Sequence, residues 1–221
     1  MTKRVISVFL CVLCVISSIS FIVSAKENKE YTSDNFLSVA DGIIAWKKAD
    51  NGSEPDGYLI NDKYLENAGT TPGDWYPIAL GRLGIQDNNE GYLAVIKDRV
   101  EERYRESGRL SAAKATEWHR IALAVLAMGG DPTNFGTDEN GAPINLIADG
   151  TYDRGKTTPL GRQGINGWIW GLITLDSMRY AVPDGAYNTR DDIIVEIISK
   201  QLSDGGFALS SDDADPDITA M

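Results

Sequence analysis

The chain has 221 residues, 32 acidic against 21 basic, with a single histidine and two cysteines. A net charge of −11 repels phosphate backbones and argues against nucleic acid as a partner. Both cysteines, Cys11 and Cys14, lie in one apolar N-terminal run, so the rest of the chain has no disulfide, no thiol nucleophile and no thiolate metal ligand.

That run is the first element. Lys3 and Arg4 precede an apolar stretch from Val5 to Val23, followed by the small-residue pattern Val23-Ser24-Ala25 and a charged start at Lys26-Glu27. The order is that of a secretory signal peptide over residues 1–25, with a linker over 26–34. The stretch is also near the ~20 residues that span a bilayer, so an uncleaved anchor is the alternative, and it is the only membrane contact expected. Removing Lys3 and Arg4 leaves 19 basic against 32 acidic residues, a net of −13. The remaining residues, 26–221, suffice for a core that buries roughly 70% of the unfolded surface.

The next elements alternate between two kinds of helix. Ser33 to Lys48 carries Phe36, Leu37, Ala40, Ile43 and Ile44 on one face, and its Trp46 is expected to pack in the core. Tyr92 to Tyr104 carries Leu93, Ile96, Val100 and Tyr104 at helical spacing. A short helix is expected near Asn145 to Ala148. Arg190 to Leu202 opens with Thr189 and Asp192 in a capping box. These are amphipathic helices with one wet face.

Between them runs a more apolar set. Asp74-Trp75-Tyr76-Pro77-Ile78-Ala79-Leu80 aligns with Glu117-Trp118-His119-Arg120-Ile121-Ala122-Leu123 at an offset of 43 residues. Asn166-Gly167-Trp168-Ile169-Trp170-Gly171-Leu172 follows 49 further on, and Asp217-Ile218-Thr219-Ala220-Met221 another 51. A small residue (Ala79, Ala122, Gly171) sits five positions after the opening polar one, where a neighbouring helix can approach. Glycine joints are expected at Gly57, Gly108, Gly150 and Gly205. Thr71-Pro72, Thr116 and Asp215-Pro216 have the form of helix starts. Such hairpins cannot bury their apolar faces alone and must stack. The fold expected over 35–221 is therefore all-α, an array of helical hairpins curved into a solenoid or a closed ring.

Gln201-Leu202-Ser203-Asp204-Gly205-Gly206-Phe207 resembles the Gln-to-Trp motif of squalene cyclases and protein prenyltransferase β subunits, with Phe in place of Trp. Gly129-Gly130-Asp131-Pro132-Thr133-Asn134 and Ile165-Asn166-Gly167 look like secreted bacterial proteins carrying the prenyltransferase/squalene-oxidase repeat. The resemblance implies an α/α toroid of six or so hairpins. About four are present, so an incomplete ring is expected here and further repeats beyond Met221 in the natural protein.

The chemistry of those relatives does not carry over. A zinc site wants at least three protein ligands, and the one histidine, His119, is not a site. The cyclase Asp-x-Asp-Asp acid has its nearest counterpart in Asp213-Ala214-Asp215-Pro216, where Pro replaces the last Asp. Asp212, Asp213, Asp215 and Asp217 do not have calcium-loop spacing and are expected in a solvated loop ending in a cap. No catalytic residue, metal or cofactor is assigned.

Trp75, Trp118, Trp168 and Trp170 all fall near the starts of the apolar helices. In a ring, those starts share one mouth of the central cavity. Asp74, Trp75, Tyr76, Glu117, Trp118, His119, Asn166, Trp168 and Asp217 are the candidate ligand-binding residues, aromatic walls with a few polar groups. The competing expectation is that each Trp plugs a gap between hairpins and each acid faces its own helix dipole. The functions expected are an extracellular or cell-surface module binding a small molecule, one version corrinoid-like, or a surface partner. A terpene-cyclase-type enzyme and a purely structural repeat are the alternatives.

Overall fold

The computed structural model describes residues 33–154 and 159–221. The expected signal peptide, and the expected linker as far as residue 32, lie outside the described residues. The chain divides into two units, one reaching Trp46 and the other running from Lys47 to Met221. Helix α1, Ser33–Asn51, crosses that division.

In the first unit Phe36, Leu37, Val39 and Ile43 are exposed, and Trp46 is 62% exposed. The expected core role of Trp46 fails. The described part of this unit is a single helix, and one helix cannot bury its own apolar side.

The second unit is helical, and among the described residues it has no strand, only a lone antiparallel bridge between Thr137 and Pro143. Its helices are α2 Asp62–Leu65, α3 Thr71–Leu83, α4 Asn89–Ser107, α5 Thr116–Ala127, α6 Ile165–Asp176, α7 Arg190–Ile198 and α8 Pro216–Ala220. A π-helical turn, Ala148–Tyr152, and a 3-10 turn, Leu160–Gln163, lie between α5 and α6. The expected all-α class holds here.

The apolar helices pack in series, α3 on α5 and α5 on α6, and the amphipathic α7 packs on α6. Leu80, Leu123 and Leu172 therefore fall on corresponding, successively packed elements. The tightest point is Gly81 on α3, where an added Cβ would lie 2.0 Å from the Ala127 carbonyl oxygen at the end of α5. The small-residue position works for Ala122 and Gly171, which are buried, but Ala79 is exposed. Gly81, two residues on, makes the close approach instead.

Helix α4 is amphipathic, as its spacing predicts. Tyr92, Ile96, Val100 and Tyr104 are buried at four-residue intervals, and Leu93 is half-buried. Gly108 ends it at φ 65°, with its N–H donating to the Tyr104 carbonyl. Gly205 also has positive φ, whereas Gly57 and Gly150 do not. Gly150 is needed for room, since a Cβ there would lie 2.6 Å from the Trp118 Cβ. On α7 the Thr189–Asp192 capping box is formed, and Ile193 alone is fully buried. Asp215 caps α8 by accepting from the Asp217 and Ile218 N–H groups. Two expected starts differ. Thr70 rather than Thr71 is the cap residue of α3, and Thr116 makes no side-chain cap.

Pro77 sits inside α3 and has no N–H to give the Gly73 carbonyl four residues back. The Tyr64 hydroxyl from α2 donates to that carbonyl instead, at 3.0 Å. The break in the helical ladder is filled by a side chain from a neighbouring element.

Candidate functional site

The first turns of α3, α5 and α6 converge on a cavity of about 200 Å³. Helix α3 brings Thr71 and Trp75, α5 brings Thr116, Glu117 and Arg120, and α6 brings Asn166 and Trp170. Lys114 and Gln163, just before α5 and α6, complete the lining. Trp75 and Trp170 form an aromatic wall, their ring centroids 5.7 Å apart and their planes tilted by 53°. Trp75 is 42% exposed, so the wall runs from the cavity to the surface.

Arg120, itself on the lining, is the centre of a buried ionic network. Its Nε donates to Asp74 Oδ2 at 2.8 Å. One terminal nitrogen donates to Glu117 Oε1 at 2.7 Å and Thr71 Oγ1 at 3.2 Å. The other donates to Glu117 Oε2 and the Gly69 carbonyl, both at 3.1 Å. All five guanidinium N–H groups are thus engaged. Asp74 Oδ1 accepts from the Gly69 N–H and the Tyr92 hydroxyl, each at 2.7 Å. Arg103 approaches Glu117 at 3.5 Å.

Burial pushes the Asp74 carboxyl up, and its bonds to Arg120, Tyr92 and Gly69 offset that only in part. Burial acts on Glu117 in the same direction, but the Arg120 fork, with Arg103 and Lys114, outweighs it and holds that carboxyl below its usual range. The two partners of Arg120 are shifted oppositely. Geometry decides for Asp74: all three of its neighbours donate, which is the environment of a carboxylate.

Three of the nine expected site residues, Trp75, Glu117 and Asn166, line this cavity. The other six do not. Asp74 is fully buried in the Arg120 network. Tyr76 packs edge-on against Tyr64 at 6.3 Å, with Lys47 Nζ 5.7 Å from its ring. Trp118 and His119 are fully buried and cannot face an open cavity. Trp168 packs across Gly161, where an added Cβ would lie 2.5 Å from its Nε1. Asp217 is exposed in the first turn of α8.

The reason is rotation. Successive helical residues turn by about 100°, so neighbours in sequence face different ways. Residues three or four apart share a face. The cavity accordingly takes Thr71 with Trp75, Glu117 with Arg120, and Asn166 with Trp170. Arg120 and Trp170 were absent from the expected set although that spacing points to both.

Trp118 and His119 serve the packing of α5 on the π-helical turn. Trp118 Nε1 donates to the Tyr104 hydroxyl at 2.7 Å, which donates to Asp149 Oδ2 at 2.7 Å. Arg154 lies over the Trp118 ring, 4.7 Å from its centroid. His119 Nε2 donates to the Gly150 carbonyl at 2.8 Å, while its Nδ1 has no partner among the described residues. Burial lowers the His119 pKa to about 3, so the ring is neutral at neutral pH.

Among the described residues no group of three or more His, Cys, Asp or Glu side chains is arranged to hold a metal ion. No described helix is long and apolar enough to cross a membrane. No family model, no curated protein and no solved structure matches this chain.

Proposed function

We propose that this chain is a binding module: a secreted or cell-surface repeat domain of α/α-toroid type that holds a small molecule or surface partner without catalysing a reaction on it. The observation that carries this reading is the cavity where three successive repeat helices begin, walled by Trp75 and Trp170. Aromatic walls with a few placed polar groups are the composition of ligand sites. The toroid rests on the serial packing of α3, α5 and α6 and on the sequence resemblance. The extracellular setting rests on the N-terminal signal pattern. At about 200 Å³ the cavity is smaller than the 300–1,000 Å³ that encloses drug-sized ligands, which weighs against the corrinoid-like version.

The cyclase alternative needs a strong acid inside an apolar cavity. Glu117, the carboxylate at this cavity, is bound by Arg120, and Asp212, Asp213, Asp215 and Asp217 are all exposed. Full-length protein equilibrated with cell extract and examined by native mass spectrometry without washing tests the binding reading. A retained small-molecule mass that disappears in Trp170→Ala is expected. No retained mass, with no change in thermal stability, favours a purely structural repeat.

A further inference from the structure

Resting on that binding reading, we propose that the cavity takes one ring of a neutral saccharide, with the chain leaving past Trp75. Three observations select this chemistry. The first is charge. Arg120 has no N–H left to offer a ligand, because Asp74, Glu117, Thr71 and Gly69 use all five. Among the described lining residues an anion would find only one unengaged cation, Lys114, and would be repelled by Glu117. A cation would find the Glu117 carboxylate already held by the Arg120 fork, and Lys114 beside it. The site favours a ligand without net charge.

The second is hydrogen bonding. Asn166 lines this cavity, and its buried Oδ1 has no donor among the described residues. Gln163 Oε1 accepts from both the Thr116 N–H and its hydroxyl at 3.2 Å, which leaves the Gln163 NH₂ as a donor. The Lys114 ammonium is a second donor on the same lining. An unmet acceptor beside unmet donors suits hydroxyl groups, which donate and accept at once. An acceptor-only ligand would leave Asn166 Oδ1 unsatisfied, at a desolvation cost.

The third is shape. The faces of a pyranose carry C–H groups that stack on indole rings, while its rim carries hydroxyls. The tilted Trp75–Trp170 pair, with polar groups around it, presents the matching surfaces. The volume of about 200 Å³ suits a single ring, and the exposure of Trp75 leaves a route for the next one.

The test is isothermal titration of the full-length protein with cellohexaose, chitohexaose, xylohexaose, mannohexaose and maltohexaose. Tetramethylammonium, benzoate and cyanocobalamin serve as cationic, anionic and corrinoid probes. The expected result is saturable binding of at least one oligosaccharide with Kd of about 10 μM to 1 mM, the range for a single small subsite. Trp170→Ala and Asn166→Ala should weaken it at least tenfold, and Trp170→Phe less, with folding of each variant checked by circular dichroism. Absence of saccharide binding overturns the proposal, as does saccharide binding indifferent to Trp170→Ala. A non-sugar probe whose binding disappears in Trp170→Ala overturns the saccharide assignment and leaves the binding cavity standing. Failure of the cavity itself shows separately, as no saturable binding of any probe, sugar or not, in the titrations.

Discussion

Two polar clusters meet at the start of α5, built from similar residue types and used differently. Around Arg120, every guanidinium N–H has an acceptor, and Asp74 is out of reach of water. On the same cavity Asn166 Oδ1 lacks a donor among the described residues, and Trp75 and Trp170 line the open space. The closed cluster fixes α3 against α5, while the open one leaves capacity for something from outside. Unmet capacity alone does not mark a ligand site, since the core atom His119 Nδ1 also lacks a partner among the described residues; unmet capacity beside open space does.

The closed side should be the fragile one. Arg120→Met leaves the Asp74 carboxylate buried without its cation, and a loss of about 3–5 kcal/mol is expected in chemical denaturation. A loss below about 1 kcal/mol would mean that the network does not hold the helices. His119 is the next largest effect. Its folded pKa, lowered by burial to about 3, lies below the unfolded value, so the unfolded state binds the extra proton between. The contribution is present above pH 6.5 and is lost as pH falls toward 3. The slope approaches about 1.4 kcal/mol per pH unit. Stability compared at pH 6.5 and 5 should fall in the native chain and fall less in His119→Gln; equal slopes would place the ring in contact with solvent.

Tyr64→Phe tests the repaired ladder of α3. It leaves the Gly73 carbonyl without a donor beside Pro77, and a loss of about 1–2 kcal/mol in urea unfolding is expected. An unchanged midpoint would show that water supplies the bond. On the open side, Trp75→Ala should cost only about 1 kcal/mol, from its partly covered ring and its contact with Trp170. A large drop would convert Trp75 from a ligand wall into packing.

Much of the helical framework is legible in the sequence because it depends on local spacing and capping. Tyr92, Ile96, Val100 and Tyr104 show their shared face directly, and Thr189 with Asp192 announces the start of α7. The site is only partly legible. Aligning the repeats identifies Asp74, Glu117 and Asn166 as equivalent, but equivalence in sequence does not make the following residues share a face. Trp118 and His119 rotate into the core, whereas Arg120 and Trp170, three and four positions beyond the marker residues, rotate toward the cavity. Lys114 comes from the loop before α5 and Gln163 from the 3-10 turn before α6, so their meeting at the cavity depends on how the helices pack. The pairing of Asp74 with Arg120 spans 46 residues and has no local signal.

Asp74 on α3 and Arg120 on α5 join the two helices whose first turns, with that of α6, hold the cavity. A double-mutant cycle with Asp74→Asn and Arg120→Met, read by chemical denaturation, measures that link. A coupling of about 1–3 kcal/mol is predicted, the size found for residues in one buried network. Additive effects of the two substitutions would contradict it.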